Sequence, residues 1–156
     1  LDQDIVNYFK RQLGLAIGET TAEQIKKELG AAMPLMTELT MSVKGRDYLT
    51  GLPKTIEVNS NQILEAIQDS INEITDIVKQ TLEKTPPELA SDIVQRGIVL
   101  CGGGALIREI DKLLSKKTDM PVYIAENPME SVVKGTEKTL DDLENLRNVL
   151  IDSRRR

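Results

Sequence analysis

Apolar residues recur every four positions at Ile5, Phe9 and Leu13, the interval that keeps side chains on one face of a helix, and Gly14 comes next, where a left-handed residue ends one. The spacing predicts a helix over residues 2–13. Thr20-Thr21-Ala22-Glu23 has the spacing of a capping box, so a second helix is expected from Thr20 to Gly30. Pro34 interrupts the chain after it. Leu39, Met41 and Val43 then alternate with Thr40, Ser42 and Lys44, and Ile56 and Val58 repeat the alternation after a loop containing Gly51 and Pro53, predicting two half-buried strands. Residues 15–70 therefore read as a small α+β unit. A long helix is expected over residues 60–84, with Ile63, Ile67, Ile71, Ile74, Val78 and Leu82 in one apolar stripe. Such a stripe reads as the inward face of a helix lying on a sheet rather than as a partner-binding surface. Thr85-Pro86-Pro87 stops it.

The pattern then changes. Gly97-Ile98-Val99-Leu100-Cys101 is an unbroken apolar run of strand length, as expected of a strand covered on both faces, and it places Cys101 inside that strand as an inert thiol. Gly102-Gly103-Gly104 comes directly after it, then helical spacing from Ala105 through Leu114. Pro121-Val122-Tyr123-Ile124-Ala125 predicts a second buried strand, and Asn127-Pro128 has the chemistry of an N-cap with proline at the first helical position. Strand, glycine turn, helix and strand make a βαβ unit, which implies a parallel sheet. Leu143, Leu146 and Leu150 predict a last amphipathic helix over residues 140–151.

Composition narrows the chemistry. The 156 residues carry 20 Lys and Arg against 25 Asp and Glu, a net charge of −5, which argues against a nucleic-acid binder because phosphate neutralisation needs a clustered basic excess. The one dense basic cluster is Arg154, Arg155 and Arg156, fewer than the four to eight basic residues of a lipid-reading cluster. With no His and one Cys, neither a zinc site nor a Ser/His/Asp or Cys/His unit can be assembled, whereas carboxylates and bound phosphates can still hold a metal. A single thiol fits a reducing cytoplasm. The longest uncharged run, residues 97–107, is 11 residues, short of the roughly 20 that cross a bilayer. Leu1-Asp2-Gln3-Asp4-Ile5 is already in helical rhythm with no initiator Met, so a start inside a longer protein is expected.

Two features point to a ligand. Three glycines after a strand let the backbone take positive φ and expose its amides, and a helix after them would aim its positive end at the same place, which suits a nucleotide phosphate. The bland reading is a tight βα turn, since the Gly-Lys-Ser/Thr ending of a P-loop is missing. Glu23 and Lys26 fall on the helix face opposite Ile25 and Leu29, where a carboxylate can accept from ribose hydroxyls and a lysine stem can cover a base. Read locally, Glu23 is the capping-box carboxylate and Lys26 a solvated cation.

The segments Leu1-Asp2-Gln3-Asp4-Ile5-Val6-Asn7-Tyr8, Ile17-Gly18-Glu19-Thr20-Thr21-Ala22-Glu23-Gln24-Ile25-Lys26, Gly45-Arg46-Asp47-Tyr48-Leu49-Thr50-Gly51-Leu52-Pro53, Thr81-Leu82-Glu83-Lys84-Thr85-Pro86-Pro87-Glu88-Leu89-Ala90, Arg96-Gly97-Ile98-Val99-Leu100-Cys101-Gly102-Gly103-Gly104-Ala105-Leu106 and Ala125-Glu126-Asn127-Pro128, in this order, resemble the C-terminal half of the MreB family of bacterial actin homologues. The resemblance implies an α/β fold of the actin-like ATPase (RNase H-like) type. The chain would supply an incomplete lobe from residues 1–14 and 71–139, with residues 15–70 inserted as a small subdomain at the cleft rim and residues 140–156 as a C-terminal helix and basic tail. It further implies that Glu23, Gln24, Ile25 and Lys26 match the family's adenosine-side contacts, that Gly102, Gly103, Gly104 and Ala105 match its second adenosine motif, and that the cofactor is ATP, with Mg²⁺ held mainly through the phosphates and by residues outside this chain. The family is a slow ATPase. It forms membrane-associated filaments at the inner face of the cell membrane, with other protomers and wall-synthesis proteins as partners, and guides wall synthesis to set cell shape.

The phosphate-gripping hairpins, the water-positioning acid and three strands of the lobe's sheet should precede Leu1, so the 156 residues alone are expected to bind nucleotide weakly or not at all, to hydrolyse nothing and to leave sheet edges exposed. A different class of reading is an interaction domain whose glycine turn is architectural. Another member of the same superfamily, a chaperone ATPase or plasmid-segregation filament, would share the site but lack Thr85-Pro86-Pro87-Glu88-Leu89. A shared nucleotide site requires Glu23/Lys26 and residues 102–104 to converge on one concavity.

Overall fold

A computed structural model describes residues 1–142. Beyond Asp142, the expected last helix and the Arg154, Arg155 and Arg156 triplet lie outside the described residues. The elements run α1 (Asp2–Gln12), β1 (Leu15–Ala16), α2 (Glu19–Leu29), β2 (Thr40–Asp47), β3 (Pro53–Asn59), α3 (Ser60–Glu83), α4 (Pro87–Arg96), β4 (Ile98–Leu100), a 3₁₀ turn (Gly103–Leu106), α5 (Ile110–Thr118), β5 (Val122–Ile124) and α6 (Ser131–Asp141).

The first half is organised by α3. Asn59 opens it with a capping box in which the Asn59 side chain accepts from the Gln62 amide at 2.9 Å and the Gln62 side chain accepts from the Asn59 amide at 3.0 Å. Ile63, Ile67 and Ile71 are fully buried, and α1, α2, α5 and β3 all pack on this helix. Ile5 and Phe9 from α1 and Ala22, Ile25 and Leu29 from α2 complete the same core, as their spacing predicts. Further along, the stripe loses its cover: Ile74 is 37% exposed, and Val78 and Leu82 are half-buried.

Strands β1, β2 and β3 form an antiparallel sheet in that order, with Val43 opposite Ile56 and Met41 opposite Val58. The pairing puts Val43 and Val58 into the core at alternate positions. The two-residue strand β1 was not expected from the pattern. It crosses Gly45 so closely that a Cβ there would sit 2.7 Å from the Ala16 carbonyl oxygen and from Leu15 Cγ. At the end of β2, the Asp47 carboxylate accepts from the amides of Leu49 (3.1 Å) and Thr50 (2.9 Å), the Thr50 hydroxyl (3.1 Å) and the Lys54 ammonium (3.1 Å). The Thr50 amide, then Lys54 and the Thr50 hydroxyl, hold its pKa down at about 2, below the ordinary 3.8.

The second half departs further from expectation. Strands β4 and β5 pair in parallel, as the βαβ reading requires, with Val99 opposite Tyr123. They are not covered on both faces, because Val99 and Tyr123 are more than half exposed and, among the described residues, β4 and β5 alone share that layer. Cys101 lies past the end of β4 and is exposed, not buried within it. The helical spacing after the glycines resolves into a 3₁₀ turn and a separate α5, divided at Glu109, whose φ is +63°. Helix α4, unpredicted, begins at Pro87 right after the proline stop, proline being suited to the first helical position. The helix expected at Asn127-Pro128 starts instead at Ser131, because residues 128–130 form a turn in which the Glu130 amide reaches back to the Asn127 carbonyl.

Replacing Ile67 by Ala should destabilise the chain by about 2–5 kcal/mol in chemical denaturation, whereas Ile77→Ala, exposed on the same helix, should stay within about 0.5 kcal/mol. Because the Asp47 pKa is depressed on folding, its stabilisation is fully present above about pH 4 and is lost as pH falls through about 2. The gap in melting temperature between the parent and Asp47→Asn should therefore be widest above about pH 4 and close toward pH 2; a gap independent of pH contradicts this assignment.

Candidate functional site

Helix α2 begins at Glu19 with Gly18 as its N-cap and no side-chain cap, so the Thr20–Glu23 capping box does not form: the cap lies two residues before Thr20, placing Thr20 inside the first turn. Glu23 pairs instead with Lys27 at 2.7 Å, an exposed i,i+4 pair of small energetic weight. Gln24 is exposed and donates to Glu28 at 3.1 Å. Ile25 is wholly buried, so its side chain is committed to the core and only its backbone can serve a ligand. Lys26 lies half-buried on the opposite face, as the wheel predicts, and its ammonium sits 2.8 and 3.0 Å from the two carboxylate oxygens of Asp2. While that pair holds, the lysine stem is what remains to cover a base.

The glycine turn is tied to the loop after β5 and stands open at Gly102 and Gly104. Leu100 accepts from the Ala125 amide at 3.0 Å, and the Gly102 amide donates to the Pro128 carbonyl at 2.7 Å, stitching the turn to the loop after β5. Gly102 has φ +81°, which favours glycine, and a Cβ added at Gly102 or Gly104 would meet no atom within 4 Å. At Gly103 it would meet only the Met129 sulfur, at 3.3 Å. The backbone is thus open to a ligand at the places where a side chain would stand in the way, which fits the approach of a nucleotide. Ala105 closes the turn with its methyl buried. Since α5 begins only at Ile110, no long helix aims its positive end at the turn, contrary to the expectation from the spacing, and the exposed amides alone are left to meet an anion.

An apolar cavity of about 190 Å³ lies beside the turn, with Ile74, Val78, Leu100, Cys101, Gly104 and Ala105 among its walls and no residue of α2. The two motifs are joined by a different route. A single parallel bridge pairs Ala31, just past α2, with Arg108, three residues beyond Ala105. The Ala32 amide donates to the Arg108 carbonyl at 2.8 Å, the Arg108 amide to Gly30 at 3.4 Å, and the Arg108 guanidinium to the Lys27 carbonyl at 3.1 Å. Sequence reasoning missed Asp2 and Arg108. Arg108 did carry a signal, being the charge that ends the 11-residue uncharged run. Among the described residues, no three His, Cys, Asp or Glu side chains stand together as a metal site.

The sequence model of one family, described as MreB/Mbl protein, matches residues 1–148. The cell shape-determining protein Mbl of Bacillus subtilis (strain 168) is 46% identical over 145 residues, covering 93% of this chain and 44% of Mbl. The cell shape-determining protein MreB of Escherichia coli (strain K12) is 47% identical over 140 residues, covering 90% of this chain and 40% of MreB. Among solved structures, MreB5 of Spiroplasma citri bound to ADP superposes with a TM-score of 0.88 at 40% identity, covering 94% of this chain and 45% of that one. The AMPPNP-bound form of the same protein gives 0.87. The chain therefore spans less than half the length of these relatives.

Gly102→Ala should cost about 1–2 kcal/mol for its positive φ, while Gly104→Ala should leave stability within about 0.5 kcal/mol, measured by urea denaturation. Equal losses at the two positions would contradict the described turn.

Proposed function

We propose, since the chain belongs to the MreB/Mbl family and carries the actin-like α/β fold as an incomplete lobe with an inserted α+β unit, that it supplies one wall of an ATP site in a cell shape-determining filament protein. The observation that carries this reading is the bare backbone at Gly102 and Gly104 after a parallel strand, in a chain 40% identical to one solved with ADP and with AMPPNP. In this reading the glycine turn and Ala105 approach the sugar and α-phosphate, Glu23 accepts from the ribose, and the Lys26 stem and the α2 backbone at Gln24 and Ile25 flank the adenosine. Mg²⁺ sits on the phosphates and on residues outside these 156. The whole protein then assembles with copies of itself at the cytoplasmic face of the membrane and guides wall synthesis, with the lobe at residues 1–14 and 71–139 and the rim subdomain at residues 15–70.

A second reading, an assembly domain without nucleotide, draws on the apolar surface of the second half. Neither α4 nor α6 buries a residue, and Leu89, Val94, Val132, Val133 and Leu140 are all more than half exposed. Surfaces of this kind call for cover, from the rest of the protein or from another copy. The two readings separate in calorimetry with ATP on the 156-residue chain beside one extended N-terminally to the length of its relatives. The expected result is binding by the extended chain, at least tenfold weaker binding by the 156 residues, a tenfold or greater loss for Glu23→Ala or Gly104→Val in the extended chain, and no ATP turnover by the 156 residues above background. Absence of binding by the extended chain would overturn the nucleotide reading in favour of the assembly domain.

A further inference from the structure

Arg108 makes three hydrogen bonds to the segment that closes and leaves α2, to the Ala32 amide and to the Gly30 and Lys27 carbonyls, and none of these partners is a candidate site residue. Its backbone forms a bridge between the segment leaving the glycine turn and the segment leaving α2, through the Ala32 amide at 2.8 Å and the Gly30 carbonyl at 3.4 Å. Its guanidinium, exposed on the surface, donates to the Lys27 carbonyl at 3.1 Å. That carbonyl belongs to the last turn of α2, where helix carbonyls lack intrahelical partners and the dipole is negative, so a cation is favoured there. A planar guanidinium with several fixed donors holds such a position with less loss of rotamer freedom per bond than a lysine ammonium.

The connection from the turn to Arg108 is short and stiff. Ala105 donates to Gly102 and Ile107 to Gly104, each at 3.2 Å, Ala105 and Ile107 are buried, and three residues span at most about 11 Å. On the other side, α2 is pinned by Ala22, Ile25 and Leu29 in the core. A displacement of Arg108 is therefore passed directly to the spacing between α2 and the glycine turn. Immediately after it, Glu109 has φ +63°, a left-handed conformation that a non-glycine residue adopts at a cost, and its side chain bonds Lys112 at 2.8 Å. The chain turns into α5 at that point without relaxing the bridge.

We infer that Arg108 is a positioning residue: its guanidinium on the end of α2 sets the distance between Glu23/Lys26 and Gly102/Gly104, the two motifs that the proposed ATP site requires together. This rests on the nucleotide reading for its consequence and on the bridge for its geometry, and the two are tested separately. Cys101 is the chain's one cysteine and is exposed beside the turn, and Glu28 is exposed on α2, so Glu28→Cys allows a spin-label pair across the join. In the 156-residue chain, electron paramagnetic resonance should give a narrow distance distribution, broadened or shifted by Arg108→Ala and largely restored by Arg108→Lys, which keeps a donor. An unchanged distribution in Arg108→Ala overturns the proposal whether or not ATP binds. In the extended chain, Arg108→Ala should raise the ATP dissociation constant about tenfold, whereas Thr75→Ala, which removes a buried α3 hydroxyl bonded to the Ile71 carbonyl and not to the bridge, should lower the melting temperature without that change. Loss of stability with unchanged affinity in Arg108→Ala would reduce the residue to a structural role. Absence of ATP binding by the extended parent would instead defeat the nucleotide reading and leave the distance result to decide the positioning claim.

Discussion

Ile63, Ile67 and Ile71 on α3 form the surface that α1, α2, α5 and β3 share, and the rest of the chain takes its position from that contact. Each buried isoleucine contributes about 1.5–3 kcal/mol of transfer free energy, so one helix face carries a large part of the stability of a chain this size. The same helix also shows where burial thins out. Past Thr75 its stripe is half uncovered, and beyond it α4 and α6 bury nothing. The core ends where α3 runs out of partners.

The candidate site sits on that boundary. Helix α2 reaches it from the packed side, anchored by Ala22, Ile25 and Leu29, while the glycine turn reaches it from the thinly covered β4–β5 pair. Among the described residues the two are coupled by a strand-like bridge at Ala31 and Arg108, and the apolar cavity beside the turn has no residue of α2. The described cavity therefore does not by itself join the two motifs, and the nucleotide reading requires the rest of the protein to complete the cleft.

Wherever local period and burial agree, the fold was legible. The four-residue spacing of Ile5 and Phe9, the alternation around Val43 and Val58, and the glycines ending α1 and α2 all appear where the pattern puts them. The misses share a cause: interactions that sequence spacing does not encode. The Thr20–Glu23 box lost to a helix start at Glu19 and to the Lys27 pair, and β1 exists because Gly45 admits it, a contact between segments about 30 residues apart. The apolar run at residues 97–101 correctly marked a strand, but burial on both faces needs neighbouring strands that no local pattern supplies. At the site, the residue types and their faces were legible, while the roles of Asp2 and Arg108 were not, because ion pairs and bridges between distant segments leave no periodic trace.

The central claim is that α2 and the glycine turn serve one nucleotide. Hydrogen exchange with mass spectrometry on the chain extended to the length of its relatives, with and without ATP, tests it directly. ATP should slow exchange both in the peptide containing Glu23, Gln24, Ile25 and Lys26 and in the peptide containing Gly102, Gly103, Gly104 and Ala105, with the same dependence on ATP concentration. Protection confined to one of the two, or different midpoints for them, would contradict it.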